Sequence, residues 1–137
     1  MINFYYQKSY NIKNIIKIKA WLVNSISELN KELGKIDYVF CDNAFITEVN
    51  KKHLQHDYPT DIITFDYVKN NKLNAEIYIS IEQVRMNAKL FHAKYSDELH
   101  RVLIHGILHL SGFNDHTDEE KVQMRQAEDY YLSLRPF

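Results

Sequence analysis

The sequence predicts an α+β domain: one mixed sheet of about four strands carrying helices, with an all-helical C-terminal third. Three observations lead there. Short β-branched and aromatic stretches (INFYYQ, KIDYVFC, IITFDYV, AEIYIS) read as strands, and the segments between and after them repeat apolar residues every three or four positions. No internal repeat, low-complexity stretch or linker interrupts the 137 residues. Residues 1–137 therefore form a single domain, which at this size buries about two thirds of the surface its unfolded chain exposes.

Taken in order, residues 1–7 alternate as a short strand does. Ile15, Ile18, Leu22, Ile26 and Leu29 then mark a helix within Ile12 to Leu33, which Gly34 is expected to end. KIDYVFC is the second strand, and Asp42 can cap the helix NAFITEVNKKHL. That helix breaks at QHDYPTD, where Pro59 forces Tyr58 away from helical geometry. IITFDYV and AEIYIS form a hairpin around Asn70-Asn71, a pair that tolerates left-handed turns. Ser80 with Gln83 starts a helix through about Ala93, Ser96 or Asp97 begins another to Leu110, and Thr117 with Glu120 caps the last. The order is β-α-β-α-β-β-α-α-α.

Composition narrows the partners. The formal net charge of -1 lacks the overall basicity that announces a nucleic-acid partner. Residues 1–35, however, carry six Lys against Glu28 and Glu32, net +4, and the remainder is net -5. On its own such a lysine-rich segment reads as a solvated helix face. A single Cys41 cannot form an intramolecular disulfide, and no leader or long apolar run is seen, so a cytoplasmic location without membrane contact is expected. Cys41, Trp21, Phe40 and Phe65 read as core, and His92 and His100 as surface or packing residues.

The unusual chemistry lies in HGILHLSGFNDH, residues 105–116, which holds three of the seven histidines. Residues four apart on a helix differ by about 40° around its axis, so His105 and His109 project from one face toward a common point. Gly112 stops the helix, and the chain can turn back to bring His116 alongside. Three neutral imidazoles suit zinc at about 2.0–2.1 Å and leave a fourth position for water, so hydrolysis becomes possible. A lone HxxxH is more often a surface pair. Here the helix is otherwise apolar, and partly burying imidazoles in it is costly unless a metal or another group satisfies them. The C-terminal third thus carries a zincin-like metal-binding helix. It is not that of a zincin peptidase, because the general-base Glu of HExxH is replaced by Gly106. Asp115 is either an orienting partner for an imidazole or a turn residue bonded to its own backbone.

At these residues the chain resembles the YbeY family, bacterial zinc-dependent endoribonucleases of ribosomal RNA maturation, whose pattern is HGxLHLxGxDH. A second block, ELN...D.PTDVLSF, is similar to EVNKKHLQHDYPTDIITF, and AEIYIS stands where the family has its GDI-like strand. The resemblance implies one zinc ion held by His105, His109 and His116, with Asp115 preceding the third ligand and Pro59-Thr60-Asp61 leading into a substrate-lining strand. It also implies that these histidines are catalytic through the metal and its water. One extra residue between Gly112 and His116 calls for a longer turn. Leu54 falls where the family has an arginine thought to act on RNA, so either neighbouring basic residues have taken that part or RNA affinity or rate is reduced. Ala75-Glu76 replaces Gly-Asp.

The expected function is a metal-dependent, single-strand-specific endoribonuclease of ribosomal RNA maturation and ribosome quality control. Its substrate is a ribosomal RNA precursor, its partner the small ribosomal subunit or an assembly factor, and Lys51, Lys52, His53 and Thr60 are the expected substrate contacts. A ribosome-assembly module with structural zinc and no cleavage of its own is the alternative. A metallopeptidase is disfavoured by Gly106.

Overall fold

The structure, a computed structural model, describes residues 1–54 and 60–137, and of Leu54 the backbone alone. The expectations for the Leu54 side chain, Tyr58 and Pro59 lie outside the described residues. The elements follow the expected order: β1 (Ile2–Tyr6), α1 (Ile15–Glu28), β2 (Glu32–Cys41), α2 (Asn43–Leu54), β3 (Ile62–Asp66), β4 (Lys72–Ser80), α3 (Ile81–Leu90), α4 (Tyr95–Leu110) and α5 (Asp118–Ser133).

The sheet runs β1-β2-β4-β3. β1, β2 and β4 are parallel, and β3 pairs antiparallel with β4 through the expected hairpin. Asn70 takes the left-handed conformation at φ 59°, and Lys69 and Lys72 exchange backbone hydrogen bonds across the turn. Side chains alternate between two faces. Tyr38, Phe40, Ile77 and Ile79 join the main core with Trp21 and Leu22 of α1 and Leu103 and Ile107 of α4, and burying each such aliphatic chain contributes about 1.5–3 kcal/mol. Cys41, Ile46 and Ile63 form a smaller cluster on the α2 side, where Phe65 is half-buried rather than fully core.

Several boundaries differ from expectation. α1 ends at Glu28 because Asn30, at φ 59°, turns the chain left-handed and Lys31 N–H bonds back to the Ile26 carbonyl. Gly34 is therefore not a helix cap; it lies inside β2, where the pairing with β4 shifts between Leu33 and Ile36. A Cβ at Gly34 would stand 2.3 Å from Asn74 Oδ1 and 2.6 Å from the Leu73 carbonyl oxygen, so glycine is required by close strand approach. α3 stops at Leu90 rather than near Ala93, with His92 at φ 53°, and α4 starts one residue before Ser96.

α4 is fixed against the sheet at two places. The Tyr38 hydroxyl donates to the Leu103 carbonyl at 2.9 Å, satisfying a phenol that is fully buried. Gly106 lies flat on the sheet, where even a methyl group would meet Ile77 Cδ1 at 3.1 Å and Ile62 Cδ1 at 3.3 Å. That approach sets the histidine face of α4 beside the edge strand β3. Among the described residues, no helix is long and apolar enough to cross a membrane.

Candidate metal centre

His105 and His109 lie one turn apart on α4 with ring centroids 4.5 Å apart and planes at 82°. Past Leu110, Gly112 takes φ 107° while the N–H groups of Gly112 and Phe113 bond back to the carbonyls of His109 and Leu108. This closes the helix as expected and returns the chain over the histidine face. Asp115 comes back with it. Its Oδ2 is 3.6 Å from His105 Nε2 and 3.4 Å from His109 Nε2.

These separations are long for charge-assisted hydrogen bonds. Donors about 2.0–2.1 Å from a tetrahedral ion stand about 3.4 Å from one another, so each imidazole nitrogen stands from the Asp115 oxygen much as two corners of such a shell do. All three donors lie within 4.8 Å of one another. Two imidazoles and a carboxylate suit zinc chemically, and they suit nickel, copper or iron as well.

α5 supplies what the sequence reading missed. Thr117 and Glu120 form the expected capping box, which fixes where α5 starts. Eight residues after Glu120, Glu128 turns inward, only 6% exposed, and accepts a hydrogen bond from His105 Nδ1 at 2.6 Å. With the proton held on Nδ1, Nε2 presents its lone pair to the cleft. Arg101 Nη1 donates to Glu128 at 2.9 Å and its Nη2 to Asp129 at 2.7 Å, so the buried carboxylate is balanced by a cation that bridges it to a second acid. Burial depresses the His105 pKa, but the hydrogen bond and charge of Glu128, with Asp115 and Asp61 adding, raise it above the ordinary value. His109 goes the other way, lowered by burial and then by the charge of His105.

The donors open into a cleft of about 540 Å³ lined also by Thr60, Asp61, Thr64, Asp66 and Asn114. Thr64 and Asp66 come from the edge strand. Asp61, which the family resemblance places in the loop leading into a substrate-lining strand, contributes its carbonyl to Ser80 N–H, accepts a hydrogen bond from Asn87 Nδ2 at 3.5 Å and lines this cleft. Burial raises the Asp61 pKa against the opposing charge of His105.

Other expected site residues fall elsewhere. His116 is exposed and outside the convergent group, in which Asp115 takes the third place. The spacing itself contains this signal: the third histidine of HGxLHLxGxDH follows the second by six residues, and six residues after His109 stands Asp115. Counted without a gap, no longer turn is needed. Thr60 lines the cleft. His53 packs edge-on to Phe65 at 5.5 Å, on the α2 side of the sheet, and Lys51 and Lys52 are exposed on the same helix. None of these three lines the cleft.

The model of the family described as Endoribonuclease YbeY matches residues 3–134. The Endoribonuclease YbeY of Bacteroides thetaiotaomicron is 50% identical over 115 residues, 84% of either chain. That of Parabacteroides distasonis is 43% identical over 134 residues, covering 96% of this chain and 94% of its own. The solution structure of TM1509 from Thermotoga maritima superposes with a TM-score of 0.73 at 26% identity, over 97% of this chain and 87% of that one. A mixed four-stranded sheet, a histidine-bearing helix closed by Gly112 and a match over nearly the whole length agree: the chain belongs to the YbeY endoribonuclease family.

Proposed function

We propose that this chain is a metal-dependent, single-strand-specific endoribonuclease that acts in the cytoplasm on ribosomal RNA precursors, in maturation and quality control of the ribosome. The observation that carries the reading is the spacing of His105 Nε2, His109 Nε2 and Asp115 Oδ2 at the mouth of an open cleft. We assign one zinc ion per chain to these donors, with Asp115 rather than the neighbouring His116 as the third. A zinc ion held there supplies Lewis acidity, polarising a phosphoryl oxygen and acidifying water to a pKa of about 7.

The chain's own residues do the rest. Glu128 keeps the proton on His105 Nδ1, and Arg101 donates a hydrogen bond to Glu128 in a buried site. Thr60 and Thr64 offer hydroxyl groups along the cleft wall, and the Asp61 carboxyl is the group suited to exchange a proton with substrate or water. The small ribosomal subunit or an assembly factor would present the RNA.

A non-cleaving assembly module with structural zinc fits less well, because structural zinc sites are closed by four protein donors and three converge here among the described residues. A metallopeptidase is opposed by position 106, which is glycine where the peptidase base would stand and whose Cβ would crowd Ile62 and Ile77 of the sheet. The test is the His109→Ala protein. Folded, RNA-binding and inactive, against a wild type that cuts, it supports the nuclease; a loaded wild type that binds RNA without cutting it supports the module.

A further inference from the structure

A second cleft, of about 290 Å³, runs from the metal centre between α4 and α5, and its walls include His105, Asp115 and Arg125. It is acidic: Asp61, Glu98, Asp115 and Glu128 line it against only two cations, Arg101 and Arg125. RNA is a polyanion, so a strand reaching the metal along this path meets repulsion unless an uncommitted positive charge receives it.

The arginines are not equivalent. Arg101 is held by Glu128 and Asp129. Arg135, which lies farther along in an adjoining cleft with Arg101 and Arg125, bonds to Asp97, to the Leu132 carbonyl and to His100 Nδ1. Arg125 is exposed and has no hydrogen bond or ion pair among the described residues; Glu98 is the acid its charge reaches. It precedes Glu128 by three residues on α5 and so shares its side of the helix. The contact that locks Glu128 to His105 therefore also sets where Arg125 stands relative to the metal centre. Lys51, Lys52 and His53 cannot substitute, since none lines this cleft and His53 packs on the other face of the sheet.

We propose that Arg125 receives a phosphate of the RNA strand beside the metal centre, its planar guanidinium gripping two phosphate oxygens. This rests on the endoribonuclease reading above. The fork matters as well as the charge: lysine can neutralise a phosphate but cannot hold it bidentately.

The test uses the full chain in two assays. In the first, a labelled single-stranded oligoribonucleotide binds the His109→Ala protein, with and without Arg125→Gln, across a salt series. Loss of one phosphate contact on a single strand makes the slope of log affinity against log salt shallower by about 0.7. In the second, cleavage by otherwise wild-type Arg125→Gln should fall about 10- to 100-fold in kcat/KM, mainly through KM, because the contact is already made in the bound ground state. Arg125→Lys should restore the salt slope but only part of kcat/KM. An unchanged slope together with kcat/KM within about twofold of wild type overturns the assignment. If the wild type cuts nothing, the nuclease reading fails, and the binding slope still decides whether Arg125 holds phosphate.

Discussion

Glu128 of α5 accepts a 2.6 Å hydrogen bond from Nδ1 of His105 on α4, although 23 residues separate them in the chain. This bond turns an ordinary histidine into a directed ligand, because it leaves the Nε2 lone pair facing His109 and Asp115. Replacing Glu128 by Gln removes the charge while keeping the shape. Zinc affinity, read by competition with a chromophoric chelator, should fall about 10- to 100-fold in a protein that remains folded. Unchanged affinity would show that the ring is oriented by packing alone.

The two turn residues make opposite predictions. Asp115→Ala should lose bound zinc on gel filtration, whereas His116→Ala should retain one ion per chain, since only Asp115 stands at donor spacing from both imidazoles. Metal analysis of the two purified variants decides it. Retention by Asp115→Ala with loss by His116→Ala would transfer the third ligand to His116.

Position 106 tests why no peptidase base is present. Gly106→Glu recreates HExxH in sequence, yet it pushes a carboxylate between Ile62 and Ile77, where a single methyl group is already crowded. The variant should be destabilised by about 4 kcal/mol or more and largely unfolded in far-UV circular dichroism. A stable variant with peptidase activity would refute the packing argument.

A pH effect follows from His100. The residue is 6% exposed, accepts a 2.6 Å hydrogen bond from Arg135 Nη1 on Nδ1, and packs edge-on to Phe137. Burial, then the Arg135 charge, lowers its pKa to about 4. The folded state thus binds a proton less readily than the unfolded chain, whose histidine titrates near about 6.5. The stabilisation is fully present above pH about 6.5 and is lost as pH falls toward about 4, on the order of 2–3 kcal/mol. Thermal unfolding of wild type and His100→Leu should therefore show a difference in stability that changes with pH between these limits. Parallel pH profiles would contradict the shift.

What the sequence disclosed depended on the range of the interactions involved. Local signals read correctly: Asn70 for the hairpin, Thr117 with Glu120 for the last cap, Gly112 for the end of α4, and HxxxH for the shared face. Gly34 misled because Leu29 and Leu33 extend a helical spacing past Glu28, while the reason for glycine there is Asn74 on another strand. Glu128 was invisible for the same cause, as one acid among several on a polar helix until tertiary packing turned it inward. Asp115 stood in the spacing at the family's third position, but a histidine one residue away drew the sequence reading to His116.

The most direct measurement of the central claim follows cleavage of a ribosomal RNA precursor by this chain at fixed salt before chelation, after chelation and after readdition of zinc, with folding monitored in each state. The account predicts defined products from the loaded protein, none from the folded apoprotein, and recovery with one zinc ion per chain. Cleavage that persists in folded, metal-free protein, or no cleavage by the folded, fully loaded protein, would contradict it.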